Sequence, residues 1–119
     1  MSELIKMTHE EFMQLNKECH DRAYAITAIK NKDYSPGANP FANFYKSDEL
    51  FAPYFKERAA MAAMMTDVNK KTSRITNFIL TGERSPSNSE PFCNDFLDGA
   101  NYFIMMLTFA KTLGIDIFK

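Results

Sequence analysis

Apolar side chains recur at helical spacing in three stretches of this chain. The first stretch is carried by Phe12, Leu15, Cys19, Ala23, Ile26 and Ile29. The second is carried by Met61, Met65, Val68, Thr72, Ile75 and Ile79. The third is carried by Phe96, Leu97, Ala100, Ile104 and Leu107. Apart from the adjacent Phe96 and Leu97, intervals of three and four residues place each set on one helix face, the face expected to be buried. The pattern therefore predicts an all-α fold, a small bundle of three main helices with short helical turns.

Capping and breaking residues indicate where these helices begin and end. Thr8 followed by Glu11 is a capping-box pattern at the start of the first helix. Proline is tolerated near the beginning of a helix, so Pro53 marks the start of the second main helix, after a short turn. Ser89 and Pro91 supply a cap and a first-turn proline for the third. The predicted main helices span 9–31, 53–80 and 90–112.

The length and composition fit one small domain that shares apolar surface with a partner. The chain has 119 residues, which is enough for a single domain over 1–119. It contains eleven Phe and eight Met but no Trp. A domain of this size buries only part of so much apolar surface by itself. We therefore expect a homodimer or a higher homo-oligomer.

Charge and cysteine content narrow the expected partners and location. The formal net charge is −1, with no long run of one sign, so the basic patch of a nucleic-acid binder is absent from the sequence. Cys19 and Cys93 are far apart and fit no metal-binding or redox spacing, which favours reduced thiols in a cytoplasmic protein. No stretch approaches the roughly 18 apolar residues of a membrane span, so we expect no membrane partner.

Two carboxylates in the third predicted helix are the leading candidates for chemistry. Asp95, Asp98 and Tyr102 fall at positions i, i+3 and i+7 on one face, and Asn101 lies at the edge of that face. Carboxylates one turn apart repel each other unless a cation lies between them, and Mg²⁺ takes such oxygen ligands. The alternative is that both acids are solvated near the helix N-terminus, where negative charge is mildly favourable.

The segment after the first predicted helix combines aromatic and amide side chains. Turn-forming residues interrupt the apolar pattern there, yet Tyr34 and Phe44 lie within the segment. Asn31, Asp33 and Asn43 lie beside them in the sequence. Such a loop either plugs one end of the bundle or forms part of a binding pocket. Aromatic rings with nearby amides suit the stacking and edge recognition of a nucleotide base.

Two basic residues share a second face of the middle helix. Lys71 and Arg74 are one turn apart and can bind phosphate oxygens, and the guanidinium of Arg74 can do so with two parallel hydrogen bonds. Lys71 also follows Asp67 by four residues, and such pairs of opposite charge are ordinary features of a solvated helix face. This face is therefore either a phosphate-binding face or a solvated one.

These groups occur in an order that resembles a known family. The order along the chain is Lys30-Asn31-Lys32-Asp33-Tyr34, Asn43-Phe44, Lys71-x-x-Arg74 and Asp95-x-x-Asp98-x-x-Asn101-Tyr102. It resembles the phage and bacterial nucleotide-modification-associated domain, which looks related to the all-α NTP pyrophosphohydrolases of the MazG-like and dimeric dUTPase-like group. The similarity spans roughly 26–107, which is most of the chain.

The resemblance implies a nucleotide substrate and a metal cofactor. Acidic residues on facing helices would hold Mg²⁺, and a nucleoside triphosphate would be cleaved to its monophosphate and pyrophosphate. By position, Asp95 and Asp98 match the acidic motif, as catalytic and metal-binding residues, and Lys71 matches the basic motif with Arg74. The implied nucleotide-binding residues are Lys30, Asn31, Asp33, Tyr34, Asn43, Phe44, Lys71, Arg74, Asn101 and Tyr102.

The sequence departs from this family in its acidic set. The pyrophosphohydrolases carry an E-E-x-x-E motif on an earlier helix, and the corresponding helix here offers a single acid, Glu57. Glu57, Asp95 and Asp98 would hold one Mg²⁺, a thin set for activating water and shielding a triphosphate. The alternative function is a non-catalytic phage module in the host cytoplasm. Such a module would bind a signalling nucleotide or a host protein and interfere with host defence.

Overall fold

The computed structural model describes residues 4–34, 39–41, 44, 48–84 and 90–119. Within these residues all regular structure is helical, which confirms the prediction of an all-α bundle. The helices in chain order are α1 (His9–Tyr34), α2 (Asp48–Phe55), α3 (Ala59–Thr81) and α4 (Asn94–Ala110). Short 3₁₀ turns, Lys56–Arg58 and Lys111–Leu113, follow α2 and α4. None of these helices combines the length and the apolar character that crossing a membrane requires.

The first helix begins where the capping pattern predicts and ends about one turn later than predicted. The Thr8 hydroxyl oxygen accepts a hydrogen bond from the backbone N–H of Glu11 at 3.1 Å, and the hydroxyl donates to the Glu11 carboxylate. No proline occurs in the sequence before Pro36, so nothing forces the helix to stop at residue 31. Lys30 and Asn31, at the end of the predicted span, therefore lie within the last turns of α1.

The break between α2 and α3 falls at Lys56, and not before Pro53 as predicted. Pro53 lies inside the eight-residue helix α2. Lys56 has a φ of 54°, in the left-handed region, and a right-handed helix does not continue through such a residue. The 3₁₀ turn follows, and α3 begins at Ala59, later than the predicted start of the second main helix.

The last helix also begins later than the sequence predicts. The carbonyl oxygen of Pro91 accepts a hydrogen bond from the backbone N–H of Asn94 at 3.0 Å, so Pro91 lies in a turn before the helix. Cys93 is the N-cap residue and supplies no side-chain hydrogen bond. The predicted cap, Ser89, lies outside the described residues. At the other end, the 3₁₀ turn Lys111–Leu113 follows α4, so the helical segment ends close to the predicted residue 112.

The hydrophobic core lies where α2, the first half of α3 and the second half of α4 meet. Its buried side chains are Phe44, Ala60, Ala63, Met64 and Phe109. The partly buried side chains around them are Phe41, Phe51, Met61, Tyr102, Met105, Met106 and Leu113. Phe41 packs edge-on against Phe109, with ring centroids 5.2 Å apart. Two aromatic side chains that precede α2, Phe41 and Phe44, therefore close this end of the bundle.

The buried face of α3 differs from the predicted apolar stripe. Met64 and Val68 are fully buried, whereas Met65, which the spacing places in the core, is 41% exposed. Ile79, at the end of the predicted stripe, is exposed as well. One turn beyond Val68, the buried face reaches Lys71, so this face of α3 changes from apolar to cationic along its length.

The inward face of α4 is also not the one that its apolar pattern predicts. Leu97 is buried as predicted, but Phe96, Ile104 and Leu107 are exposed. The inward face carries instead Asp95, Asp98, Tyr102, Met105 and Phe109. The physical reason is that the two carboxylates meet cationic side chains of the neighbouring helices, as described below.

The first helix lies alongside α4 and runs in the opposite direction. Ala23 is buried in this contact, and its carbonyl oxygen accepts a hydrogen bond from the Asn101 side-chain amide at 2.9 Å. Toward its N-terminus α1 extends past this contact, and Phe12 and Leu15 are about half exposed. The chain is therefore elongated, with principal extents of 51 × 31 × 29 Å.

Neighbouring methionines of α3 test which face is buried. We expect Met64→Ala to lower the free energy of unfolding by about 2–5 kcal/mol, because it empties part of the core. Met65→Ala makes the same change one position along the same helix and should cost less than about 1 kcal/mol. Urea unfolding of the two variants measures the difference. A larger loss in Met65→Ala would support the face that the spacing predicts.

Candidate functional site

Five charged side chains from three helices meet beside the hydrophobic core. Lys30 comes from α1, Lys71 and Arg74 come from α3, and Asp95 and Asp98 come from α4. The two aspartates are only 8% and 6% exposed, respectively. Ionised carboxylates so deeply buried need cationic partners, because removing a charge from water is costly.

Lys71 is the central cation of this cluster. Its Nζ lies 3.4 Å from Oδ2 of Asp98 and 3.9 Å from Oδ1 of Asp95, so one ammonium group bridges both acids. Lys71 is largely buried and follows Met64 and Val68 on the inward face of α3. The repulsion between two carboxylates one turn apart is therefore offset by a lysine of the facing helix.

Each aspartate has a further cationic partner besides Lys71. The Lys30 Nζ lies 3.2 Å from Oδ1 of Asp98, and this lysine is about half exposed. The Arg74 guanidinium donates to Oδ1 of Asp95 at 2.9 Å. The alternative that both acids are simply solvated near a helix N-terminus is therefore wrong. Both acids are buried and paired across helices.

An amide at the start of α4 adds a neutral donor to the network. The Asn94 side-chain nitrogen lies 3.4 Å from Oδ2 of Asp98 and also donates to the carboxylate of Glu90. Asp98 is thus contacted by Lys30, Lys71 and Asn94. It is the most heavily paired acid of the cluster.

A pocket of about 400 Å³ opens beside Asp98, between α1 and α4. Its lining residues are Ile26, Thr27, Lys30, Asn31, Phe44, Lys71, Asp98, Asn101, Tyr102 and Met105. The charged groups Lys30, Lys71 and Asp98 contact one another and form its cationic end, and the packed rings of Phe44 and Tyr102 form its aromatic end. A concave site of this size with a few convergent polar groups is typical of small-molecule binding.

The walls of the pocket are fixed by contacts outside it. The Asn31 side-chain amide donates to the carbonyl oxygen of Pro40 at 2.8 Å, and that of Asn101 donates to the carbonyl oxygen of Ala23 at 2.9 Å. The ring of Phe44 packs edge-on against that of Tyr102, with centroids 6.2 Å apart. Both amides and the aromatic pair are therefore oriented before any ligand arrives.

The pocket brings together many of the residues that the sequence analysis names as nucleotide-binding. They are Lys30, Asn31, Phe44, Lys71, Asn101 and Tyr102, with the predicted catalytic residue Asp98 beside them. Phe44 is also a residue of the hydrophobic core. The same side chain therefore helps to close one end of the bundle and to line the pocket, which were the two alternatives for this segment. Asn43 and the side chains of Asp33 and Tyr34 lie outside the described part of the chain.

Two predicted residues lie on the other side of the cluster. Arg74 and Asp95 line a small recess next to the aromatic rings of Phe78 and Phe92, and not the main pocket. Arg74 therefore does not stand beside Lys71 at the pocket, although it is one turn further along α3. Its contact in the structure is the ion pair with Asp95.

The described residues do not assemble the predicted set of three metal ligands. Glu57 is exposed in the turn before α3, and no group of three His, Cys, Asp or Glu side chains that could hold a metal occurs within the described ranges. Asp95 and Asp98 are contacted by the ammonium groups of Lys30 and Lys71 and by the guanidinium group of Arg74, so Mg²⁺ would have to compete with these side chains for the carboxylate oxygens. The requirement for magnesium stays a prediction.

Three pocket residues were not singled out from the sequence as site residues. They are Ile26, Thr27 and Met105. Thr27 stands three residues before Lys30 and four before Asn31, so helical spacing within the predicted first helix already places it on their face. Met105 stands three residues after Tyr102 on α4. For Met105, the missing information was the orientation of α4.

Comparisons of the chain with protein-family models, with curated proteins and with solved structures return no match in any of the three. The resemblance described from the motifs therefore stays a prediction. The pocket and the charge cluster beside it are the features of the chain that indicate a function.

Adjacent lysines of α3 test the bridge between the two acids. Lys71→Met should approach the roughly 3–5 kcal/mol loss of stability that follows when a buried ion pair is broken, because two carboxylates lose their shared cation. Lys70→Met removes a lysine whose partner is Asp67, in an exposed pair 3.7 Å apart, and should cost no more than about 1 kcal/mol. Chemical unfolding of both variants measures the difference. Equal losses would contradict a central role for Lys71.

Proposed function

We propose that this chain binds a nucleotide or a nucleotide-like phosphorylated small molecule in the pocket between α1 and α4. The observation that carries the proposal is the division of one 400 Å³ pocket into a cationic end and an aromatic end. A phosphorylated ligand with a planar base has the same division of charge and apolar surface. The proposed function is binding, without metal-dependent hydrolysis.

The cationic end supports phosphate binding through its net charge. Lys30 and Lys71 contribute two positive charges, and Asp98 contributes one negative charge, so the pocket wall is left with one positive charge. Lys30 is half exposed, and its Nζ lies 3.2 Å from Asp98. A phosphate oxygen can share or replace that contact without unfolding any part of the bundle, since charge-assisted hydrogen bonds are the strong ones.

The other end supports recognition of a base or another flat group. Tyr102 and Met105 contribute partly buried apolar surface, and the fixed ring of Phe44 stands against Tyr102. The amides of Asn31 and Asn101 are held in place by backbone carbonyl groups. Preoriented amides beside an aromatic surface can bind the polar edges of a base at little entropic cost.

The pairing of the acids favours binding over catalysis. Metal-assisted hydrolysis needs carboxylates that hold the metal and leave it open to water and substrate. Asp95 and Asp98 each contact two cationic side chains, so a metal would first have to displace Lys71. Magnesium-dependent cleavage of a nucleoside triphosphate is the alternative, and the two experiments below separate it from binding.

The first experiment varies the number of phosphates on the ligand. Thermal shift and calorimetry with a nucleoside and its mono-, di- and triphosphates should show tighter binding as phosphates are added. A ligand at roughly 100 times its Kd should add about 2.7 kcal/mol of stability. Lys30→Met should flatten this series, whereas Lys17→Met, in an exposed pair on the same helix, should not. If no compound of the panel shifts the melting temperature, the proposed function is wrong.

The second experiment distinguishes two roles of Asp98 by whether its substitution strengthens or weakens triphosphate binding. If Asp98 holds the two lysines, Asp98→Asn frees them and should tighten triphosphate binding by about tenfold, or about 1.4 kcal/mol. Asp95→Asn removes an equal charge from a residue that does not line the pocket, and it should change the affinity much less. If the acids instead hold Mg²⁺, both variants should weaken binding, and only in the presence of Mg²⁺. Release of pyrophosphate by the parent would support the catalytic alternative.

A further inference from the structure

The outward face of α4 is apolar along most of its length. From Gly99 to Ala110 the sequence contains no charged residue. The outward side chains are Phe96, Ala100, Phe103, Ile104 and Leu107, and all five are exposed. We refer to these five residues as the α4 stripe. A helix face that is apolar over such a length is normally buried against another surface.

The α4 stripe has the geometry of a helix-packing face. At 100° per residue its members fall within an arc of about 100°, which is the width of the face that a helix of a globular protein buries. Ala100 lies at its centre, one turn from Phe96 and one turn from Ile104. A small side chain between large ones forms a hole that can receive a large side chain of an opposing helix.

The surface of the whole chain exceeds that of a compact monomer. The accessible surface is 9476 Å², whereas a compact monomer of 13.7 kDa exposes about 6600 Å². The radius of gyration is 17.0 Å, against about 13.5 Å for a compact domain of this length. The surplus is larger than the roughly 800 Å² that each partner buries in a stable interface of standard size.

We propose that the α4 stripe is the centre of a symmetric interface with a second copy of this chain. In a two-fold contact each residue near the axis meets its own equivalent, so a face that carries charge would repel itself. The α4 stripe is uncharged and has one small side chain, Ala100, among large apolar ones, and it therefore fits a copy of itself. Every copy of the chain is also made together with other copies, so a partner for the α4 stripe is always present.

The interface leaves the proposed ligand site open in both copies. Asp98 and Tyr102 lie on the face of α4 that is turned toward α1 and α3, opposite the stripe. Association through the stripe therefore covers apolar surface without closing the pocket. The interface does not depend on the proposed function, and the two can be tested separately.

Matched leucines on two helices test the interface. Light scattering of the parent should give twice the chain mass of 13.7 kDa at micromolar concentration. Leu107→Glu places a charge in the α4 stripe and should give the mass of one chain. Leu80→Glu is the control, because Leu80 is 79% exposed, against 47% for Leu107, and lines a polar part of α3 with Thr76 and Asn77. This control should keep the parent's mass.

A second variant keeps the test decisive if Leu107→Glu fails to fold. Ala100→Glu removes no buried contact and introduces a good helix former, so its circular dichroism spectrum should match that of the parent. It should be monomeric, and its melting temperature should lose the dependence on protein concentration that a dimer shows. A monomeric parent would overturn the proposal. A folded Ala100→Glu variant with the parent's mass would also overturn it.

Discussion

The bridge from Lys71 to Asp95 and Asp98 is the constraint on which the arrangement of this bundle depends. It is the contact at which a largely buried cation of α3 meets two buried acids of α4. Burying three charges is costly, and the cost is offset only if the helices present them to each other in one register. Lys30 extends the same network to α1. The charges therefore fix the rotation of each main helix as well as its position.

The same constraint produces the two faces of α4. Because the acids point toward Lys71, the residues in line with them form one wall of the pocket, and the residues opposite are left at the surface. A more conventional helix would bury Phe96, Ile104 and Leu107 and expose Asp95 and Asp98. Here the polar site occupies the interior of the single chain, and a large part of the apolar surface lies outside it.

The sequence predicted the helical class and the three long helices, because capping residues and apolar spacing are local signals. It also placed Asp95, Asp98 and Tyr102 on one face, which the structure confirms. It did not predict which face of α3 or α4 turns inward, since periodicity favours burying the apolar side. The rotation was decided by contacts between residues far apart in the chain, such as Lys30 with Asp98. Glycine is the usual sequence mark of a left-handed residue, and the left-handed residue before α3 is Lys56. The sequence therefore predicted the break before α3 in the wrong place.

The one-sided attachment of α1 gives this helix the properties of a lever. It meets α4 near Ala23 and Lys30, and Phe12 lies roughly 27 Å along the helix from Lys30 at 1.5 Å per residue. Four pocket-lining residues, Ile26, Thr27, Lys30 and Asn31, belong to its short arm. A rotation of α1 about its contact with α4 would therefore change the width of the pocket and would move the far end of the helix by a larger distance.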